Sequence, residues 1–517
     1  MTYRMTIADV PLAERLGVVP LLGDIHNHCD LSYGHGRLED ALARAAIQLD
    51  FVSVTGHAHW PDMPVDDPEV AHIVAFHVEG FARLADRWPG HYEALRAADR
   101  AGFTVFPGYE IHSAGHGDYT IVYRDLDDAP MHLADSPAEL RDLLDRHLPG
   151  QAFAFPHHIG YRHGARGISW STFDPALSPV VEMMSMHGCA EESDTALPYL
   201  HSMGPSDGAG TMRHGLAQGH VFGVVGNTDH HSAFPGSYGH GRMVAYARRP
   251  GREAIWEAIT ARRTTALTGA NVHLLAAIGD EIQGGIVAPA AEAFLDIEAV
   301  AGGPIDSIDV IRNGRLVHRV TPALQPAPAA QPGRTILFLE MGWGPRGRAH
   351  RWEGEISVDG ARLLGVEPRF RGRVELALPE EEGRDDPVPR IETEGEAVGF
   401  DLLARGNPTT TTSATQGVAL HLDAEPGGHA RLRLCGREID VSFERLRAGA
   451  LSGNLGPIDS PAWRLHRMPA AEELRWSGRL PLGTLAEGET VYLRLRQSCG
   501  QMAWTSPIFC RAARRSG

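Results

Sequence analysis

The chain has 517 residues, too many for one hydrophobic core, so two or more domains are expected. Apolar residues at 43% and charged residues at 22% are ordinary for a soluble globular protein, and no run approaches the ~18 apolar residues of a membrane span. A formal net charge of −17 repels polyanions, so neither nucleic acid nor membrane is expected as a partner, although a bound metal reverses the sign locally. Met1–Ile7 shows no basic region leading into a sustained apolar segment, so no secretory signal is read and a cytoplasmic location is the default. Five cysteines without metal-finger spacing read as free thiols.

In chain order, the first 270 residues alternate short apolar runs with helical patterns. Strands are expected at Leu21–Ile25, Phe51–Thr55, Phe103–Tyr109, Tyr119–Tyr123, Ala152–Phe155, Val180–Met184 and Val221–Val225. Helical spacing joins Leu38, Leu42, Ala45 and Leu49, and again Leu140, Leu143, Leu144 and His147 after Asp135-Ser-Pro. A long helical pattern from Val70 to Arg100 is expected to break at Trp88-Pro-Gly90. Strands alternating with helices predict a mostly parallel sheet, open or closed into a barrel.

From Asn271 the pattern changes to short β-type runs between Gly/Pro turns: Phe294–Ala299, Ile308–Ile311, Leu316–Val320, Ile336–Glu340, Glu355–Val358 and Val491–Arg496. Asn313-Gly314 predicts a hairpin across Val310–Val317. Thr321–Gly333 reads as a surface loop, Glu380–Asp386 as a solvated charged loop, and Thr409–Thr412 as too short to interpret. Two domains result: 1–270, which carries the chemistry, and 271–517, one or two β-sandwich-like units.

Histidine marks the first of these, since 22 of the 28 histidines precede residue 271. His26 and His28 follow the first strand, His57 and His59 the second, and Glu110 and His112 the third. His157 and His158 follow the fifth, Glu182 and His187 belong to the sixth, and Asp229, His230 and His231 follow the seventh. In a parallel α/β fold the C-terminal strand ends share one rim, where active sites are built. Several neutral imidazoles with carboxylates suit Zn, Mn or Fe, and more than four candidate ligands imply more than one ion. His59, His112, His116 and His230 read as hydrogen-bonded rim residues, His72, His77 and His91 as surface or packed, and Asp24 as the orienter of a ligand histidine or, alternatively, part of a strand-end turn. The Gly-rich loop Tyr161-Arg162-His163-Gly-Ala-Arg166 is the candidate substrate contact, with two guanidiniums suited to an oxyanion and His163 placed to protonate a leaving group. Gly236–Gly241 is either a plain turn or a lid.

The set Asp24-Ile-His26-Asn-His28, Thr55-Gly-His57, Gly108-Tyr-Glu110, Pro156-His-His158, Val181-Glu182 through His187-Gly188 and Thr228-Asp229-His-His231 resembles the polymerase and histidinol phosphatase (PHP) superfamily of metal-dependent hydrolases. The resemblance covers about residues 20–270. Pro156–Arg162, Val181–Gly188, Tyr492–Gln497 and Ala503–Ile508 are similar to a bacterial subgroup related to carbamate hydrolases. It implies a distorted (β/α)7 barrel holding two or three divalent ions. On this resemblance His26, His28 and Asp229 hold the first ion and Glu110 bridges. One of His157 and His158, with His187, holds the second, and His57 and His231, with His35, a third. One departure stands out: Gly56 replaces the aspartate that usually precedes the histidine after the second strand.

The expected function is hydrolysis of a small-molecule phosphoester by a metal-bound hydroxide, with Asp229, His163 and Arg162 catalytic and Tyr161, Arg162, His163 and Arg166 on the substrate. A carbamate, carboxylic ester or amide is the alternative electrophile. The reading from another class is a non-catalytic, metal-stabilised binding protein. The β-rich half is compatible with a cover over the barrel mouth or the interface of a homo-oligomer.

Overall fold

The computed structural model describes residues 10–199, 204–322, 332–342, 348–373, 386–405 and 415–512. Met1–Ile7, Thr409–Thr412 and most of Thr321–Gly333 and Glu380–Asp386 lie outside them. Asp386 itself is not a solvated charge, because it pairs with Arg373 and Arg405.

The first half runs α1 (Pro11–Leu16), β1 (Val19–Asp24), α2 (Leu38–Gln48), β2 (Phe51–His59), α3 (Ala71–Ala98), β3 (Thr104–Ile111), β4 (Asp118–Tyr123), α4 (Pro137–His147), β5 (Ala152–His157), β6 (Val180–Ser185) and β7 (Gly188–Cys189). It continues through α5 (Met212–Ala217), β8 (Gly223–Gly226), β9 (Arg242–Ala247), α6 (Arg252–Thr260) and β10 (Thr264–Leu267). The expected strands are all present within a few residues of their predicted bounds. Strand β2 extends to His59, which brings His57 into the strand itself.

Among the described residues these strands do not close a continuous hydrogen-bonded barrel, so the mixed α/β order is present without the closed ring that the resemblance implies. One sheet is ordered β10-β9-β1-β2-β3-β4-β5, and β7-β6-β8 form a separate sheet. Among the described residues of these strands only β1-β2-β3 and β6-β8 pair in parallel. The short link from β3 to β4 contains no helix, so β4 returns antiparallel, as a connection too short for a crossover requires. At the other gap the free edge of β10 pairs with Met502–Thr505 instead of β8. Ser506 and Thr264 bridge to β8 with their hydroxyls, at 2.9 Å to Val224 N and 2.8 Å to Val224 O. The strands' inner face is filled by Phe51, Phe106, Phe153 and Phe155, against which Trp256 of α6 packs. This apolar plug forms the floor beneath the histidines, with Phe155 edge-on to His26.

Helix α3 runs through Pro89, against the predicted break. Proline removes one helical hydrogen bond, but Leu84, Trp88, Tyr92 and Leu95 repeat at helical spacing on both sides of it and are all buried, so packing holds the two halves in line. Among the described residues no helix is long and apolar enough to cross a membrane.

The second half is rich in sheet, as expected, but its strands are divided. Ile305–Arg312, Thr490–Gln497, Met502–Thr505 and Ile508–Cys510 extend the first sheet beyond β10. An eight-stranded sheet is built around the long partners His350–Arg369 and Gln416–Leu434, and a four-stranded sheet around Ala290–Ala301. The predicted hairpin is present, with Asn313 (φ 51°) and Gly314 (φ 72°) both left-handed, as a type I′ turn demands. All five cysteines are free thiols.

Candidate metal centre

Several strand ends deliver polar residues to one buried cluster. His26 and His28 leave β1 two residues apart, and their Nε2 atoms approach to 3.2 Å. Glu110 of β3 turns Oε2 toward His26, His28 and His57, at 3.2, 3.3 and 3.7 Å. Its Oε1 faces His112 and His157, each at 3.1 Å. Asp229 divides its oxygens the same way. Oδ1 lies 3.0 Å from His28 and 3.6 Å from His26, while Oδ2 lies 2.9 Å from His187 and 3.3 Å from His158.

Three residue groups fit a cation, each with ligand atoms within 4.8 Å of one another: His26, His28 and Glu110; His158, His187 and Asp229; and His28, His57 and His231. His57 with Glu110 and His112, and Asp118 with His157 and His158, are further sets of the same kind. His157 Nε2 and Asp229 Oδ2 are buried and make no hydrogen bond of good geometry among the described residues. Their short contacts to Glu110 and His187 are poorly aligned, a costly arrangement for buried polar atoms that a divalent ion would relieve.

The backbone is strained around the cluster. His158 (φ 51°), Arg166 (φ 68°), Asp229 (φ 52°) and Ala233 (φ 50°) are all left-handed, at about 1–3 kcal/mol each. Gly241 (φ 123°) packs against the Asn227 carbonyl, where a Cβ would sit 2.0 Å from the oxygen. Asp24 secures this corner by accepting from the backbone N–H groups of His26, Thr228 and Gly236 and from the Thr228 hydroxyl. It therefore pins two strand ends rather than an imidazole, the second of the two roles read for it.

Burial works against charge on both carboxylates, yet the imidazoles around them prevail. His157, His112 and His57 hold Glu110 well below the usual range, and His26, His187 and His158 do the same for Asp229. Burial alone would depress His26, but Glu182 and Asp229 hold it well above its ordinary value. Burial and neighbouring imidazoles push His57, His158 and His231 down, the last to about 3, which leaves those rings neutral and their lone pairs available.

The rings are held from behind. His26 Nδ1 is 2.8 Å from Glu182, His157 Nδ1 is 3.0 Å from Thr120, His187 Nδ1 is 3.0 Å from Tyr161, and His57 Nδ1 is 2.8 Å from Ser32. Such contacts set the tautomer so that Nε2 faces the cluster.

Every metal-ligand candidate read from the sequence, His26, His28, His57, Glu110, His157, His158, His187, Asp229 and His231, is in or against this cluster. Of the histidine pair, His158 joins His187 at Asp229, and His157 turns to Glu110. His112 is hydrogen-bonded to Asp118 and Tyr33 and also lies 3.1 Å from Glu110, while His59, His116 and His230 bond elsewhere. His77 packs between Tyr33, Trp60 and His112. His35 donates its backbone N–H to the His231 carbonyl.

The 161–166 loop divides. Tyr161 and Arg166 point inward, Arg166 being paired with Asp118 and 3.9 Å from Glu110. Arg162 and His163 are exposed, and His163 Nε2 donates to the Gly115 carbonyl, so neither is brought into the cluster. Sequence reasoning gave no role to Asp118. It sits on the rim because β4 runs antiparallel and presents its N-terminal end there, where a search of C-terminal strand ends does not look. Glu182 stood in the right strand but carried no local signal of its contact with His26.

No protein-family model matches the chain, and no curated protein matches it. Among solved structures, it is similar to a two-domain protein from Bacteroides vulgatus ATCC 8482 described as containing a predicted PHP-like metal-dependent phosphoesterase. The identity is 13% and the TM-score 0.33, over 82% of this chain and 96% of that one. PsfC from Pseudomonas syringae PB-5123 is similar at 17% identity and a TM-score of 0.29, over 46% of this chain and 87% of that one. Both scores lie below those of chains that share a fold, and the chemistry of the centre follows from its own residues.

Proposed function

We propose that the chain is a metal-dependent hydrolase of small-molecule phosphoesters, with two or three divalent ions (Mn, Zn or Fe) held by this cluster. One observation carries the reading: Asp229 and Glu110 each offer their two oxygens to different sets of imidazoles, the arrangement by which a carboxylate spans two neighbouring ions. Bound ions would supply activation of water and neutralisation of developing negative charge.

The chain's own residues supply the rest. Glu182, Thr120, Tyr161 and Ser32 orient His26, His157, His187 and His57. Arg166, anchored by Asp118 and stacked over Trp60 at 5.5 Å, keeps a fixed positive charge beside Glu110. Its charge suits an oxyanion although its Nε is given to Asp118, so Arg166 keeps the substrate role read for it while the exposed Arg162 lies outside the cluster. The phenylalanine floor keeps bulk water from entering from below.

The test is turnover of an aryl phosphate, an aryl carboxylic ester and an aryl carbamate by Mn- and Zn-loaded protein. Metal-dependent phosphate hydrolysis, abolished by a chelator, is expected. Turnover of the ester or carbamate without the phosphate would overturn the substrate class. Stoichiometric metal with no turnover of any of the three would favour a metal-stabilised binding protein. His158→Ala is expected to lower the metal content by one equivalent, by elemental analysis, and His157→Ala to leave the ion shared by His187 and Asp229 in place. Loss of that ion in His157→Ala with full retention in His158→Ala would reverse the assignment within the pair.

A further inference from the structure

A second cavity, of about 550 Å³, lies away from the metal centre, between the eight-stranded sheet and the turns at Gly302–Pro304 and Ser498–Gln501. That volume suits a small organic ligand. The chain is acidic overall, yet four guanidiniums line this cavity, those of Arg369, Arg371, Arg464 and Arg467, against the single carboxylate of Glu340.

Two of the four are already matched: Arg369 pairs with Glu367 and Arg467 with Glu473. Glu340 is 2.8 Å from His466. Arg371 and Arg464 have no carboxylate within ion-pair distance among the described residues. Arg371 lies 5.1 Å over the Tyr238 ring, and burial lowers its pKa, which marks a cation short of compensation. Arg369 is buried, and its Nε–H finds no acceptor among the described residues. Tyr238, Phe338 and Ile336 add an apolar patch to a wall that also carries His466, Ser498 and Gln501.

We propose that this cavity binds a small organic anion, a carboxylate or phosphate group carried on an apolar body. The anionic head would meet Arg371, Arg464 and the unpaired Arg369 N–H, and the body would lie against Tyr238 and Phe338. The proposal is independent of the reaction at the metal centre. Tyr238, in the loop that follows His231, does join the two regions, since its backbone N–H donates to the carbonyl of Phe370, just past the strand His350–Arg369.

Cys499, an exposed free thiol in the lining, reports occupancy without any measurement of turnover. Iodoacetamide alkylation of the full chain, read by peptide mass spectrometry, is compared with benzoate, with phenyl phosphate and with sodium chloride at matched ionic strength. At an anion concentration about ten times its Kd, alkylation of Cys499 should slow about tenfold. Exposed Cys435, elsewhere on the surface, should be unaffected. Protection by benzoate alone or by phenyl phosphate alone supports the site and identifies the head group. Arg371→Ala should abolish protection, and Arg464→Ala, at an exposed position, should weaken it without changing the thermal midpoint. No protection by either anion, equal protection by chloride, or protection that survives both substitutions would overturn the proposal.

Discussion

Asp229→Asn is expected to cost the protein at least one equivalent of bound metal and about three orders of magnitude in metal-dependent turnover. The side chain keeps its size, but one of two anionic oxygens becomes an amide that cannot serve His158 and His187 on one side while serving His26 and His28 on the other. Losing several kcal/mol of charge stabilisation, at 1.36 kcal/mol per decade of rate, gives the magnitude. Glu182→Gln removes only the charge behind His26 and should cost about 10–100-fold, the usual effect of losing a support to a ligand. Elemental analysis and initial rates under metal saturation check both. Full metal content and full activity in Asp229→Asn would remove this residue from the centre.

The second large effect is structural and lies in the C-terminal motifs. Glu191, 1% exposed, accepts hydrogen bonds from Tyr492 Oη, Arg213, Arg494 and Trp504 Nε1 at 2.7, 3.0, 2.9 and 2.8 Å. Arg494 is also held by Asp309. One carboxylate thus ties the segment after β7 to Thr490–Gln497 and Met502–Thr505, strands some three hundred residues later in the chain. Glu191→Ala leaves the Arg494 guanidinium short of its buried partner and should lower stability by about 3–5 kcal/mol.

The expected measurement is a lower urea midpoint with an unchanged slope, and an unchanged midpoint would show that the clamp contributes nothing net. Burial acts to raise the Glu191 carboxyl, but Arg494, Tyr492 and Arg213 overcome it and hold it below its ordinary 4.5. Its contribution is therefore complete above that unfolded value and is lost as the pH falls through the lower folded one. The midpoint difference between wild type and Glu191→Ala should shrink correspondingly in acid.

The Glu191 clamp also explains why Tyr492–Gln497 and Ala503–Ile508 stood out as motifs without chemistry of their own. Their alternating polar positions serve a long-range contact, which leaves no periodic or spacing signal near Glu191. Asp118 is a similar case, hidden by the reversal of one strand, and Pro89 shows local propensity overridden by a continuous apolar stripe. The 161–166 loop was read as one unit, yet its left-handed turn at Arg166 sends that guanidinium inward and leaves Arg162 outside.

What the sequence by itself determined was the identity of the cluster and the places where it would form. Strand positions follow from local apolar periodicity, and His-x-His, His-His and Asp-His-His at strand ends are local patterns that a parallel order brings to one rim. Only the tertiary structure decided which carboxylate oxygen faces which imidazole, which of His157 and His158 turns to Asp229, and whether the strands close. Those outcomes depend on strand direction and on which distant segment takes each free edge, here Met502–Thr505 beside β10. Contacts between residues far apart in the chain set them, and no short window of sequence contains both partners.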